Sequence, residues 1–302
     1  MRARERTYEL ASAGRSLLVR ADGSLAAQWG KVAPHLPGVA PGDLRPGAGP
    51  AAVRLPDGAE AGDARRLLNA HLHLLHLAHG TLCAHAVALR HPERGWAVVL
   101  LGGHGAGKTL VALALARRGW QIRAGDVTLL DCSGHPLVPR VLGGTSAFLA
   151  RREPTRRWFP DLPLPKAGAH RADLAVLLGL PTPEPGAAPE PVPVTAALTV
   201  DVDGDRQARH AAVEALDAHT AATVWWRASG HLLERLLDHS DLVLRRLETD
   251  PDAARRLARV RALADHLPLH AVWGTPEAIA DQAEHLTHTP LRNTTAEEGG
   301  CR

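Results

Sequence analysis

An apolar run followed by a glycine-rich turn is the feature that most constrains this chain. Residues 98–101 are Val-Val-Leu-Leu, a strand-type sequence, and the turn after them matches the phosphate-binding pattern G-x-x-x-x-G-K-[ST] over Gly102–Thr109. The following segment, Leu110–Arg118, is rich in alanine and leucine, so we predict a helix there. Because the pattern has the strand and the helix that it requires, it predicts a nucleoside triphosphate site.

Each residue type in the loop has a physical role. The glycines free the backbone so that successive N–H groups can point at phosphate oxygens. Lys108 is placed to reach the β- and γ-phosphates, and Thr109 to bring its hydroxyl to Mg²⁺. The chain has lysine only at Lys31, Lys108 and Lys166, which favours a specific role for the loop lysine, since a forked guanidinium cannot replace a compact ammonium in a phosphate cradle. The predicted nucleotide-contacting residues are Gly102, Gly103, His104, Gly105, Ala106, Gly107, Lys108, Thr109 and Leu110.

Composition limits the class of partner and the compartment. A formal net charge of +3 is too small to indicate nucleic acid binding, and no basic run with interleaved aromatics is present. The three cysteines have no metal-ligand spacing and predict a reducing compartment. The charged N-terminus has no apolar signal core, and no apolar run reaches membrane-spanning length. We therefore expect a soluble, cytoplasmic protein without nucleic acid or membrane partners.

Three regions are predicted along the chain. Residues 1–62 are expected to form short strands and Pro/Gly-rich loops, residues 63–286 the phosphate-loop domain, and residues 287–302 a disordered polar tail. Within the domain we predict a helix from Asp63 to about His79, strands over 81–89 and 95–101 joined by a turn at 90–94, a buried strand over 172–178, and helices over 208–217, 229–247 and 251–266.

Histidines raise two questions. The first predicted helix carries His71, His73, His76 and His79, partly at i,i+3 spacing. No carboxylate or cysteine joins them at ligand spacing, so a polar helix face is favoured over a metal site. His85 is expected on the strand paired beside the loop strand, where it is either near the bound phosphate or structural.

An aspartate after the loop helix is the candidate for a second metal contact. Residues 120–126 end in Asp126, and a strand that ends in an acid beside a phosphate loop commonly supplies this contact. Asp131 and Asp201 are the competitors. We prefer Asp126 because consecutive strands are usually neighbours in a sheet. The predicted Mg²⁺ ligands are therefore Thr109 and Asp126.

These residues together resemble HPr kinase/phosphorylase and its relatives, including the kinases encoded with lasso-peptide biosynthesis. The resemblance rests on His85-Ala86-Val87, the hairpin, the loop of Gly-x-x-Gly-x-Gly-Lys-Thr form, the Leu-Ala-Leu-Ala-Arg-Arg-Gly-Trp run at 113–120, and Ala124-Gly125-Asp126. It covers residues 80–131 specifically and 138–165 and 258–286 loosely. The implied fold is an α/β P-loop core of HPr-kinase type with a mixed sheet, a small strand-rich N-terminal region and a helical C-terminal part.

The implied activity is ATP-dependent transfer of a phosphoryl group, with Mg²⁺, to a serine- or threonine-type hydroxyl of a peptide or protein. By position, Lys108 binds the β/γ-phosphates, Thr109 and Asp126 hold the metal, and His85 lies at the reacting phosphate. Asp126, His85 and Lys108 are thus the candidate catalytic residues. Homo-oligomerisation is left open.

Arginines follow the Asp126 strand, where a substrate or phosphate lid is expected. They are Arg140, Arg151, Arg152, Arg156 and Arg157. Arg140 is the candidate substrate or lid residue, and a solvated charged face is the alternative for the whole set.

One position departs from the family. Asp126 aligns with the second acid of a family Asp-Asp pair, whereas the first is Gly125 here. A single carboxylate must both hold metal and accept the proton of the attacking hydroxyl, or leave one task to another group, for which His85 is the nearest candidate. A small-molecule hydroxyl kinase and a non-catalytic nucleotide-binding regulator are the alternative functions.

Overall fold

The structure is a computed structural model that describes residues 5–134, 137–164, 170–180, 190–205 and 209–288. The strands within these ranges are β1 Arg6–Ser12, β2 Arg15–Ala21, β3 Leu44–Pro46, β4 Val53–Arg54, β5 Thr81–His85, β6 Val87–Arg90, β7 Ala97–Leu101, β8 Gln121–Ala124, β9 Val127–Asp131, β10 Arg140–Gly144, β11 Leu149–Arg151, β12 Arg171–Asp173, β13 Val192–Val202, β14 Ala212–Ala215 and β15 Leu269–Gly274. The α-helices are α1 Gly23–Ala27, α2 Trp29–Val32, α3 Ala61–Ala78, α4 Lys108–Arg117, α5 Arg152–Trp158, α6 Leu174–Leu177, α7 Ala218–Gly230, α8 Asp250–His266 and α9 Pro276–His288.

The large sheet places the loop strand near its middle. Its strand order is β5-β9-β10-β13-β7-β6-β8, with β15 also paired to β13 and β14 to β15. β13 runs parallel to β7 and β15, whereas the other pairs are antiparallel. The predicted mixed α/β architecture is therefore confirmed, and the turn at 90–94 joins β6 to β7 as expected.

Helices cover both faces of this sheet. The apolar side chains of α4 and α9 pack on one face against β6, β7 and β13. Those of α7 and α8 pack on the other face, with Trp225 fully buried among them. Burial on both faces explains why β7 is a continuous apolar run.

The N-terminal region is strand-rich, as predicted. Its four strands form a separate sheet of order β3-β1-β2-β4, whose core includes one face of α3. α3 begins at Ala61, two residues before the predicted Asp63, whereas α9, which ends at His288, was not predicted from the sequence. Residues 289–302, most of the predicted tail, lie outside the described residues, and the division at residue 62 stays a prediction.

The C-terminal part is helical as predicted, but its helices lie at different positions: α7 and α9 were not predicted. The helix over 251–266 is confirmed as α8, with Thr249 as its N-cap. The segment 208–217 contains the edge strand β14, paired to β15. The predicted helix over 229–247 is wrong: α7 ends at Gly230, and the chain continues as an irregular segment with one short 3-10 helix at Leu244–Leu247. Leu233 and Leu244 pack into the core of the N-terminal sheet, and Leu232 packs with Val127 and Leu129 of β9.

Asp63 helps to hold that irregular segment. Its buried carboxylate accepts hydrogen bonds from the backbone N–H groups of Asp238 and His239, at 2.8 and 2.9 Å, instead of capping α3. The predicted strand over 172–178 also divides, because the Asp173 side chain caps α6 by accepting a bond from the N–H of Ala175. None of the helices in the described ranges is both long and apolar enough to cross a bilayer.

A buried ion pair fixes the end of α7. Arg256 of α8 is 0% exposed and binds the carboxylate of Glu248 through Nε at 2.6 Å and Nη2 at 3.1 Å. Its Nη1 donates to the Trp226 carbonyl and the Ser229 hydroxyl, and the guanidinium lies 3.5 Å from the centre of the Trp226 ring. The segment that starts at His231 is thereby anchored.

Removing the charge of Glu248 should show how much the ion pair with Arg256 stabilises the fold. We expect Glu248→Gln to lower the free energy of unfolding by about 3–5 kcal/mol, because the buried guanidinium loses its counter-charge. Urea denaturation measures the change. Glu214→Gln, at an exposed position of β14, is the matched control and should stay within about 0.5 kcal/mol of wild type. Equal small effects of both substitutions would contradict a stabilising role for the pair.

Candidate functional site

The glycine-rich loop is held by the neighbouring strand. Gly107 has φ +91° and directly precedes α4, and a Cβ on it would lie 2.1 Å from Val202 Cγ2. The N–H of Val202 also donates to the Ala106 carbonyl at 3.0 Å. The end of β13 therefore fixes the loop, and only glycine fits at position 107.

The loop presents unpaired backbone donors and a buried ammonium. The N–H groups of Gly105, Gly107, Lys108 and Thr109 have no protein acceptor within the described part of the chain. Lys108 Nζ donates to the carbonyl oxygens of Gly102, at 2.8 Å, and Gly103, at 3.2 Å. Burial lowers the pKa of Lys108 to about 8, although the negative charge of Asp126 acts in the opposite direction.

A cavity of about 140 Å³, here the loop cavity, lies against these groups. All predicted loop residues line it except Gly102 and Ala106, whose carbonyls bind Lys108 and Val202 instead. His85 and Asp126 also line it, as do Arg151 and Arg171, which come from two paired strands. The structure thus brings together the predicted loop, histidine and aspartate.

His85 and Asp126 reach this place by a different route from the predicted one. The strand that carries His85 breaks at Ala86, and β5 pairs with β9 rather than with β7. Asp126 lies in the short break between β8 and β9, and β8 pairs with β6. Neither β5 nor β8 is a direct neighbour of the loop strand, so the pairing expected from chain order is wrong.

The competing acids lie elsewhere. Asp201 is exposed at the end of β13, and Asp131 is at the far end of β9 from Asp126. Neither lines the loop cavity. The prediction that Arg140 is a substrate or lid residue is wrong: Arg140 is opposite Asp131 in the β9–β10 ladder, at that far end, and does not line the loop cavity.

Asp126 is held by its backbone and by His85. Its N–H and that of Val127 donate to the buried Thr145 hydroxyl, at 2.9 and 3.1 Å. His85 Nε2 lies 3.3 Å from Asp126 Oδ1. Desolvation raises the pKa of the Asp126 carboxyl, but the hydrogen bond from His85 and the positive charges of His85 and Lys108 outweigh it, so that the pKa falls below its usual range.

Position 125 has no room for a side chain. A Cβ at this position would lie 2.1 Å from the carbonyl oxygen of Ala147 and 3.0 Å from Phe148 Cα. The N–H of Gly125 donates to the Thr145 carbonyl at 2.9 Å. The strand connection after β10 therefore occupies the space that the first acid of an Asp-Asp pair would need.

A second, larger cavity of about 300 Å³, here the basic cavity, adjoins the first. The two share His104, Gly125, Asp126, Leu149 and Arg171. The other cationic or titratable residues of the basic cavity are His35, Arg65, Arg66, His231 and Arg235. Among the described residues that line either cavity, Asp126 is the only acid.

Sequence patterns missed most of this basic lining. Arg65 lies on α3, Arg171 on β12, and His231 and Arg235 after α7, so no local spacing joins them. The His231 ring stacks on that of His85 at 3.8 Å between centroids and 12° between planes. Of the predicted arginine set, only Arg151 lines a cavity at the site.

The loop cavity offers two side-chain oxygen donors of the kind that Mg²⁺ takes, one from Thr109 and one from Asp126. The described residues contain no cluster of three or more His, Cys, Asp or Glu side chains that forms a metal site. Mg²⁺ in nucleotide sites commonly takes one or two protein oxygens together with phosphates and water. The Thr109 hydroxyl and the Asp126 carboxylate line the same cavity and meet this requirement.

Comparisons with known proteins add little to this geometry. No protein-family model matches the chain, and no curated protein matches it. Among solved structures, the chain is similar to the HPr(Ser) kinase/phosphatase from Coxiella burnetii, with 11% identity over 68% of this chain and 93% of that chain and a TM-score of 0.26. A similarity at this level supports no functional inference.

The closed position at Gly125 yields a stability prediction. We expect Gly125→Ala to lower the free energy of unfolding by about 1–3 kcal/mol or more, because its Cβ meets backbone atoms that cannot rotate away. Chemical denaturation measures this loss. Gly30→Ala is the control, since nothing lies within 4 Å of a Cβ there and residue 30 is helical. A Gly125→Ala protein as stable as the control would show that the Ala147 connection moves freely.

Proposed function

We propose that the protein is an ATP-dependent phosphotransferase that moves a phosphoryl group to a hydroxyl acceptor, with Mg²⁺. One observation carries the proposal: Asp126 lines both cavities and its side chain is 56% exposed, beside the loop cavity's unpaired N–H groups and Lys108. A carboxylate between a phosphate-type site and a second cavity suits transfer between two ligands.

The loop cavity is suited to the donor phosphates. Unpaired N–H groups at the start of α4 and the Lys108 ammonium are the donors that phosphate oxygens require. Arg151 and Arg171 are directly opposite in the β11–β12 ladder, and like charges in that arrangement repel unless an anion lies between them. A Cβ on Gly105 would lie 3.9 Å from Arg151 Nη1, which places this guanidinium beside the loop.

Asp126 is better placed than His85 to receive the proton of the acceptor hydroxyl, because it lines both cavities. The His85 side chain is only 10% exposed, and its Nε2 is directed at Asp126. His85 lines the loop cavity but not the basic cavity. His85 therefore acts as a positioning residue that holds the carboxylate. As the acceptor oxygen bonds to the γ-phosphorus, the bond to the leaving diphosphate breaks and the hydroxyl proton passes to Asp126.

Asp126 and Thr109 would also hold Mg²⁺, which supplies neutralisation of phosphate charge. The resemblance of residues 80–131 to HPr kinase/phosphorylase supports a serine- or threonine-type hydroxyl of a peptide or protein as the acceptor. A non-catalytic nucleotide-binding regulator is the competing function, and the single acid at positions 125–126 favours it.

The Lys108 ammonium predicts the pH dependence of nucleotide binding. Since burial holds its pKa at about 8, the charged form dominates below pH 8 and is lost above it. Anionic phosphates bind the charged form, so we expect ATP affinity to fall above pH 8, approaching about tenfold per pH unit. Calorimetric titration from pH 7 to 10 measures this profile.

Lys108→Ala should bind ATP weakly and without this pH dependence. Lys31→Ala removes an exposed lysine far from the loop in sequence and should reproduce the wild-type profile. If Lys108→Ala retained the wild-type slope, the ammonium would have no part in binding phosphate.

Transfer assays separate the roles of Asp126 and His85. With labelled ATP, Mg²⁺ and candidate acceptors, we expect Asp126→Asn to lower kcat by about 10²–10⁴-fold, because the proton acceptor is lost. His85→Gln keeps an N–H donor for the carboxylate and should retain more activity than His85→Ala. Equal losses in both histidine variants would assign the proton to His85 instead. Absence of any Lys108-dependent transfer would favour the regulator.

A further inference from the structure

The basic cavity holds positive charge that the described residues leave without a counter-ion. Arg66 is paired, with Nη1 at 2.9 Å from Asp63 and 2.6 Å from Asp238. In contrast, none of the carboxylates in the described ranges forms an ion pair with Arg65, Arg171 or Arg235. Besides the paired Arg66, three guanidinium groups thus line one cavity, and Asp126 is the only acid among its described lining residues.

Arg65 is the most constrained of the three. It is half-buried on α3, and burial lowers its pKa, as do the nearby charges of Arg66 and Arg235. Like charges gathered in a partly desolvated space repel each other and lose hydration. An anion in the cavity would relieve both effects.

Arg235 is oriented toward the same cavity by a chain of side chains. Its Nη2 lies 2.7 Å from His231 Nε2. Burial and the nearby His85 lower the pKa of His231 to about 3, so this ring is neutral near pH 7 and its Nε2 accepts a hydrogen bond from Arg235. Because His231 also stacks on His85, which contacts Asp126, the cationic and acidic ends of the cavity are held in one arrangement.

We propose that the basic cavity binds an anionic group of the acceptor, a phosphate or a carboxylate, through Arg65, Arg171 and Arg235, and so presents the acceptor hydroxyl to Asp126. This deepens the proposed function and rests on it. A volume of about 300 Å³ is at the lower end of the range for ligand pockets, which suits a small acceptor or the end of a peptide. The anion comes from a phosphate ester or from a free C-terminal carboxylate, which have the same recognition chemistry.

The test measures binding to the full chain, with the loop filled by Mg²⁺ and a saturating non-hydrolysable ATP analogue. The probes are glycerol 3-phosphate, neutral glycerol, and a short serine-ended peptide with either a free or an amidated C-terminus. We expect one anionic probe to bind and its neutral counterpart to fail. The better anionic probe identifies the source of the anion.

Arginine variants locate that binding. We expect Arg65→Gln and Arg235→Gln each to weaken it about tenfold or more, because a charge-assisted hydrogen bond is lost. Arg261→Gln removes an exposed arginine of α8 that lines neither cavity, and should change binding less than about twofold. Circular dichroism of each variant controls for folding. Failure of every anionic probe with wild type, or equal effects of all three substitutions, would overturn the proposal.

A Lys108→Ala background separates this inference from the proposed function. If the nucleotide site were wrong, the ATP analogue would not bind in a Lys108-dependent way, whereas Arg65-dependent anion binding would persist with and without Lys108. If the acceptor site were wrong, Lys108-dependent nucleotide binding would persist and anion binding would show no dependence on Arg65. The two failures therefore give different results.

Discussion

The candidate site depends on the close backbone approach between Gly125 and Ala147. It is possible only without a side chain at position 125, and the buried Thr145 hydroxyl completes it by accepting the N–H groups of Asp126 and Val127. The turn is thereby fixed with a single carboxylate facing outward, where the loop cavity and the basic cavity meet. The absent second acid is thus part of how the sheet packs, since the following connection fills its place.

The Asp126 carboxylate is surrounded by positively charged side chains. Lys108 lies on one side of Asp126, His85 contacts it, and Arg171 lines both adjoining cavities. These surroundings keep the carboxylate ionised, and they leave excess positive charge on both sides of it. The loop cavity and the basic cavity both favour anions, and Asp126 lies where they meet. This arrangement suits the transfer of a phosphoryl group from a donor in one cavity to an anionic acceptor in the other.

Local patterns predicted the elements whose determinants are close in sequence. The strand, loop and helix around Gly102–Thr109, the turn at 90–94 and the helix α8 with its Thr249 cap all depend on residues within a few positions. The segment 229–247 has helical leucine spacing, yet its leucines contact cores formed by distant residues, and Asp63 accepts hydrogen bonds from two of its backbone N–H groups. Tertiary packing overrode the periodicity there.

The sequence by itself determined the phosphate-type loop pattern, because its glycines, lysine and threonine lie within eight residues. It also predicted Asp126 beside that loop from strand order, and the family resemblance added His85. Only the tertiary structure decided how they meet: β5 and β9 pair with each other and not with β7. Arg140, on β10, is opposite Asp131, at the end of β9 that is remote from Asp126. The basic cavity was also decided there, since α3, β12 and the segment after α7 contribute its arginines. Charges that distant in sequence become neighbours only through packing, so no local spacing records them.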